Sequence, residues 1–294
     1  MLKWNRLLAP IACLWALCCV VGCQKKGELD DAERQAISDK YQTYLTLATE
    51  KQMSHGWLYL DCDGLLFSSL SAWAGLDSSI DAARQSPGVW WRRPDENCYP
   101  TESKSEISRD MIVGLVWWLY KHKMADDIRD IFYVCKQDGF LGAGDKSRTK
   151  CTPNTLSTLS VAYKGLTGQD LGYSHLPVTL TVLRSGYQVH LTALQIAFRK
   201  MVTGKLSAAN NAWLYRRVRY NKRNAVILTT WGDDERAGET LMDEGLFPPN
   251  RLPTSADRCE PWLWQRKESE WKSCKGGKHR GGDFLFAAKL LLGE

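Results

Sequence analysis

Apolar residues recur along this chain at helical rather than strand spacing. Across residues 30–52, Ile37, Tyr41, Tyr44, Leu45 and Ala48 fall at intervals of four, three, one and three, which is one face of an amphipathic helix. Comparable runs cover residues 65–74, 108–120, 125–137, 152–163, 187–202, 206–220, 224–231, 233–242 and 283–292. Their ends carry helix signals: Asp63, Ser108 and Thr152-Pro153 as starts, and Lys121-His122-Lys123 as a positive close against the helix dipole. A helical turn or two is expected at 77–85, and a glycine-rich turn follows at Gly139, Gly142 and Gly144. Strand alternation is confined to 177–183, and 86–105 reads as one long Pro- and Arg-rich loop. The pattern predicts an all-α fold of antiparallel helical hairpins with long loops between them.

The first residues do not belong to that pattern. Lys3 and Arg6 precede an apolar run from Leu7 to Val21, the layout of a secretory signal. Val20-Val21-Gly22-Cys23 resembles the lipobox of bacterial lipoproteins, which implies cleavage before Cys23 and lipidation of its thiol. The apolar run is shorter than the roughly 20 residues of a membrane span and contains a proline. Gln24 stands where an aspartate would, by the lipoprotein sorting rule, imply inner-membrane retention. The expectation is therefore a signal over residues 1–22, a lipidated tether over 23–29 and one helical domain over 30–294. The resemblance places that domain on the periplasmic face of the outer membrane.

Lys3 and Arg6 leave with the signal, so the remaining chain carries 37 basic and 33 acidic residues. That mild, dispersed excess does not argue for nucleic acid. Of ten cysteines, Cys13, Cys18 and Cys19 lie in the signal and Cys23 is the lipid site. The six others permit 15 pairings, and an oxidising compartment favours disulfides. Neighbours bracket loop-rich stretches, so sequential pairing is preferred: Cys62 with Cys98, Cys135 with Cys151, and Cys259 with Cys274. With no C-x-x-C pair beyond the signal, no metal is expected. The absence of a P-loop, dinucleotide fingerprint, G-x-S-x-G elbow or H-E-x-x-H leaves no cofactor to expect.

Antiparallel helical hairpins in sequence resemble the (α/α) toroids of six-hairpin glycosidases and polysaccharide lyases, a likeness of architecture rather than of catalytic motif. SRDM at 108–111, FPPNRLPTSADRCEPWLWQR at 247–266 and HRGGDFLFAA at 279–288 are together similar to a group of exported bacterial proteins. This second resemblance implies export and no particular activity.

The toroid likeness directs attention to carboxylates and aromatic rings. Asp110, Gly114 and Trp117 follow one another at i, i+4 and i+7, so a sugar could lie on Trp117 with Asp110 at its edge and Arg109 as a clamp. The plainer reading makes Asp110 a helix-start charge, Gly114 a close-packing position and Trp117 core, with Trp118 anchoring the other face. Asp61 and Asp63 lie two apart; Asp233 and Asp234 follow Trp231 and the Gly232 break, and Asp233 is a candidate second carboxylate for glycoside hydrolysis or else a cap. Tyr187 and His190, at i and i+3, match the proton-transfer pair of some lyases, although a histidine on an apolar helix is more often a satisfied core residue. His279, before Gly281-Gly282-Asp283, lines a cleft or sits in a turn. The chain also has thirteen tryptophans, and aromatic faces suit carbohydrate rings. These residues give two expectations. One is an outer-membrane lipoprotein that binds, and by extension cleaves, an envelope glycan through Arg109, Asp110, His190 and Asp233, with Trp117, Tyr187, Trp231 and His279 contacting the saccharide. The other is a non-catalytic envelope lipoprotein that engages a protein partner.

Overall fold

A computed structural model describes residues 27–60, 64–94, 107–141, 149–176, 178, 187–220, 223–253 and 282–293. Among them are ten α-helices: α1 (Asp31–Thr49), α2 (Gly64–Trp73), α3 (Arg109–Lys121), α4 (Ala125–Asp138), α5 (Pro153–Thr167), α6 (Tyr187–Thr203), α7 (Ala208–Tyr220), α8 (Ala225–Trp231), α9 (Asp234–Met242) and α10 (Gly282–Leu292). The fold is all-α, and the helix bounds follow the hydrophobic periodicity closely. On α1 the stripe of Ile37, Tyr41, Tyr44 and Ala48 is buried. Its start is a capping box, with Glu33 N donating to Asp30 Oδ1 at 2.8 Å and Asp30 N donating to Glu33 Oε2 at 2.9 Å. Thr152 caps α5 ahead of Pro153, as its sequence predicts.

The strands among the described residues form two short antiparallel pairs, β1 (Arg84–Ser86) with β2 (Val89–Trp90), and β3 (Phe140–Leu141) with β4 (Thr149–Lys150). The first occupies the start of the expected 86–105 loop, turning at Pro87 and Gly88, where a φ of 74° suits glycine. The second brings Cys135 and Cys151 together with Cα atoms 5.6 Å apart, in a disulfide. The other two proposed pairs, Cys62 with Cys98 and Cys259 with Cys274, lie outside the described residues, as do Cys23, His279, Asp61 and Asp63 and all of the 177–183 alternation but Val178.

One core cluster runs from Ile37 to Leu291. Its hub is the last helix. Phe284, Leu285, Phe286, Ala287 and Ala288 are all at most 1% exposed, so this five-residue stretch of α10 is apolar all round and surrounded by other elements. It packs against α1, α2, α8 and α9, while α2 packs along α3, which in turn meets α4, α5 and α6. Gly114 permits the α2–α3 approach: a Cβ there would lie 2.5 Å from the Leu66 carbonyl oxygen and 2.8 Å from the Leu66 Cα.

Helix C-termini inside this assembly need partners for their unsatisfied carbonyls, and distant lysines supply three of them. Lys40 of α1 donates to Leu241 O at the end of α9 (2.8 Å). Lys121 of α3 donates to Ala72 O and Trp73 O at the end of α2 (3.0 and 2.9 Å). Lys200 of α6 donates to Thr229 O and Thr230 O at the end of α8 (3.3 and 3.0 Å). Burial pushes Lys40 down to about 8, against the raising influence of Glu244.

Candidate functional site

The double tryptophan of α3 is buried on both sides. Trp117 has no exposed surface; its ring lies edge-on to Trp73 (centroids 4.7 Å, 70°), Phe286 (5.1 Å, 88°) and Phe198 (5.2 Å, 73°). A sugar therefore has no face of Trp117 to stack on, and the expected role as a substrate platform gives way to the core reading. Four helices meet at this ring cluster, and edge-to-face pairs of this kind contribute about 0.5–1.5 kcal/mol each beyond the area they bury. Trp118 turns the other way, 4% exposed, toward Trp90 and His122.

At the start of α3 the serine and the aspartate interact with each other. The Ser108 hydroxyl donates to the Asp110 carboxylate and makes no cap bond to the helix backbone. Asp110 is half-buried and Arg109 exposed. On the far side of the core, Asp233 occupies the N-cap position of α9, 6% exposed, and pairs with Arg236 at 3.0 Å. Trp231 packs its ring near Tyr215 (5.7 Å) and is 6% exposed. His190 is buried in the first turn of α6; Tyr187 opens that helix, but its side chain is outside the described set. None of the described side chains among these lines the cavity between α2, α6, α8 and α10.

That cavity, of about 300 Å³, lies between α2, α6, α8 and α10. Its lining comprises Trp73 from α2; Ala197, Lys200 and Met201 from α6, with Gly204 just beyond; Thr229 and Thr230 from α8; and Lys289 and Leu290 from α10, with Gly293 beyond. Each of the four helices presents its C-terminal part. The earlier candidates border this place without entering it: Trp117 stands directly behind Trp73, and Trp231 follows Thr230.

The cations around the cavity are coupled. Burial holds Lys121 below the usual lysine value, and the charge of Lys289 pushes it further down. Lys289 also sits 5.9 Å from the centroid of the Tyr41 ring. Asp234, just past Trp231, is pushed up by burial and pulled down by Lys200 and Arg34. Thr230 donates its hydroxyl to Val226 O (2.6 Å), whereas the buried Thr229 hydroxyl has no hydrogen-bond partner among the described residues.

Sequence reading missed Trp73, Lys200 and Lys289 because the cavity draws single positions from four helices far apart along the chain. One signal was available: Lys289 is the lone cation within the apolar run FLFAAKLLL. Among the described residues, no group of three His, Cys, Asp or Glu side chains is placed to hold a metal ion, and no helix is long and apolar enough to cross a membrane. Compared with protein-family models, with curated proteins and with solved structures, the chain matches none.

Proposed function

We propose that this chain is a lipid-anchored envelope protein, carried on Cys23 at the periplasmic face of the outer membrane, that holds a ligand in the α2–α6–α8–α10 cavity. The observation that supports binding is the cavity's lining: an aromatic wall in Trp73, apolar side chains from two more helices, and a small number of polar groups. This is the composition of a recognition pocket. Among its described lining residues there is no carboxylate or histidine, so the glycoside-cleaving half of the sequence expectation draws no support from this site. The saccharide reading has Trp73 as its remaining stacking surface, and the (α/α) toroid arrangement belongs to that same proposal.

A chain from Gln24 onward contains every described element and is the form to test. Calorimetric titration with a panel of saccharides, acyl and aromatic carboxylates and their neutral counterparts should yield one saturable ligand class. Replacing Met201 with tryptophan, which fills the cavity, should remove that binding without altering helix content. Saturable binding that ignores Met201→Trp, or its absence across the panel, would sink the proposal. In the producing cell, labelled palmitate should enter the unaltered chain and not Cys23→Ala.

A further inference from the structure

The side of the fold that carries the cavity mouth is also the side to which the chain is fastened on leaving Cys23. We infer that this side is a membrane-contacting surface, held against the phospholipid leaflet that takes the Cys23 lipid, with the cavity mouth directed at the bilayer. The inference rests on the Cys23 anchor proposed above and adds an orientation and a contact surface to it.

Helix ends define this side. Lys121 closes α3 and donates to the last carbonyls of α2, while Lys200, in the last turn of α6, donates to those of α8. A Cβ on Gly165, near the close of α5, would meet Val202 of α6 and Tyr120 of α3. Lys289, in the last turn of α10, is near enough to Lys121 to lower its pKa. The C-termini of α2, α3, α5, α6, α8 and α10 therefore gather together. The cavity opens among them, because Gly204 and Gly293 of its lining are exposed.

The residues that follow the anchor are pinned to the same side. Gly27 O accepts from Asp234 N (2.9 Å) and Glu235 N (3.2 Å), which caps α9 where Asp233 makes no side-chain cap bond. Leu29 lies against Gly238, where a Cβ would stand 2.6 Å from Leu29 Cδ2. Asp234 comes four positions after the lining residue Thr230, and Lys200 of the lining lowers the pKa of its carboxyl. Cys23 precedes Gly27 by four positions, so even a fully extended chain between them reaches only about 14 Å. Helix α1 starts beside this attachment and leads away from it, reaching the first turn of α10 through the Tyr44 and Phe284 rings (4.2 Å). Its 19 residues span about 28 Å. A domain resting on its opposite side would hold Gly27 farther from the bilayer than the tether reaches.

The surface chemistry fits a lipid partner. Met201 and Leu290 in the lining, with Leu206 and Leu292 beside Gly204 and Gly293, are half-buried rather than enclosed. Lys123 and Lys205 stand exposed just past the ends of α3 and α6. Apolar side chains flanked by lysines suit an interface where acyl chains lie beneath phosphate headgroups. The exposed carboxylates Glu28, Asp30, Asp31 and Glu33 belong to the tether side and the first turn of α1, not to the lining.

The test compares amide hydrogen exchange in the lipidated protein, reconstituted in vesicles of phosphatidylethanolamine and phosphatidylglycerol, with that in the chain from Gln24 free in buffer. Amides at 122–124, 203–207 and 292–293, all distant from Cys23 in sequence, should exchange severalfold more slowly on the vesicles. Those at 50–53 and 243–246, on the opposite side, should be unchanged. Protection at 50–53 and 243–246 instead, or at neither group in a chain that carries labelled palmitate, overturns the inference and leaves the anchor intact. A chain that takes up no palmitate removes the anchor reading and this inference with it, while the cavity's binding of ligand is read separately by the calorimetric panel.

Discussion

Replacing Gly114 with alanine sets two effects of opposite sign against each other. In an isolated helix interior the change stabilises by about 1 kcal/mol, because glycine loses more backbone freedom on folding. Here the new methyl would lie 2.5 Å from the Leu66 carbonyl oxygen and 2.8 Å from its Cα, so backbone rather than a side-chain tip stands in the way. Helix α2 must then move off α3, disturbing the Trp73–Trp117 contact between them. Overpacking of this kind costs about 1–3 kcal/mol, and an obstruction by backbone belongs at the upper end. The net loss should be about 2 kcal/mol, which lowers Tm by about 4–8 °C in a domain of this size. Gly165→Ala is the control: its methyl would meet side-chain atoms of Val202 (2.5 Å) and Tyr120 (3.0 Å), which can give way. Thermal unfolding followed by circular dichroism should therefore rank the unaltered chain above Gly165→Ala and Gly165→Ala above Gly114→Ala. A Gly114→Ala protein as stable as the unaltered one would refute the close-packing account of α2 and α3.

Three other outcomes are expected. Burial raises Asp283 from 3.8 to about 7, so the stability tied to its neutral form is complete below the unfolded value and lost as pH rises through 7. This loss is on the order of 4 kcal/mol, and urea midpoints measured from pH 4 to 8 should fall less steeply in Asp283→Asn. Reducing the Cys135–Cys151 disulfide, which closes a 16-residue separation, should cost about 3 kcal/mol, read from urea denaturation with and without reductant. Asp170 accepts from Ser160 Oγ, Lys164 Nζ, Gly172 N and Ser174, which holds its carboxyl far below the usual range; the stability it provides is present above the unfolded carboxylate value and lost as pH falls. Asp170→Asn should accordingly increase amide exchange at 170–174 at pH 7 while leaving α3 protected.

Periodicity alone located the helices, because a buried stripe such as Ile37, Tyr41, Tyr44 and Ala48 is a property of one segment. Capping chemistry was equally local, which is why Thr152-Pro153 marks a true start, whereas Ser108 opens α3 without a cap bond because its hydroxyl goes to Asp110. The site was less legible. Trp117 shared a stripe with Asp110, but a stripe says only that two residues face one direction; whether water or Phe286 lies there depends on α10, more than 160 residues later. Gly114, between them, was informative, since a missing side chain on an apolar helix implies a close neighbour. Trp73, Lys200 and Lys289 meet only through the tertiary packing of four helices, and each looks ordinary in its own segment. Likewise the long-range lysine caps pair residues 29 to 201 positions apart, beyond a local sequence window.

On the proposed function, ligand enters the four-helix cavity and not a cleft at the start of α3. The discriminating measurement is calorimetric titration of Asp110→Asn and Met201→Trp, side by side with the unaltered chain, using the ligand class that saturates the unaltered chain in the panel. The expected result is an unchanged isotherm for Asp110→Asn and none for Met201→Trp. Binding lost in Asp110→Asn and retained in Met201→Trp would contradict it.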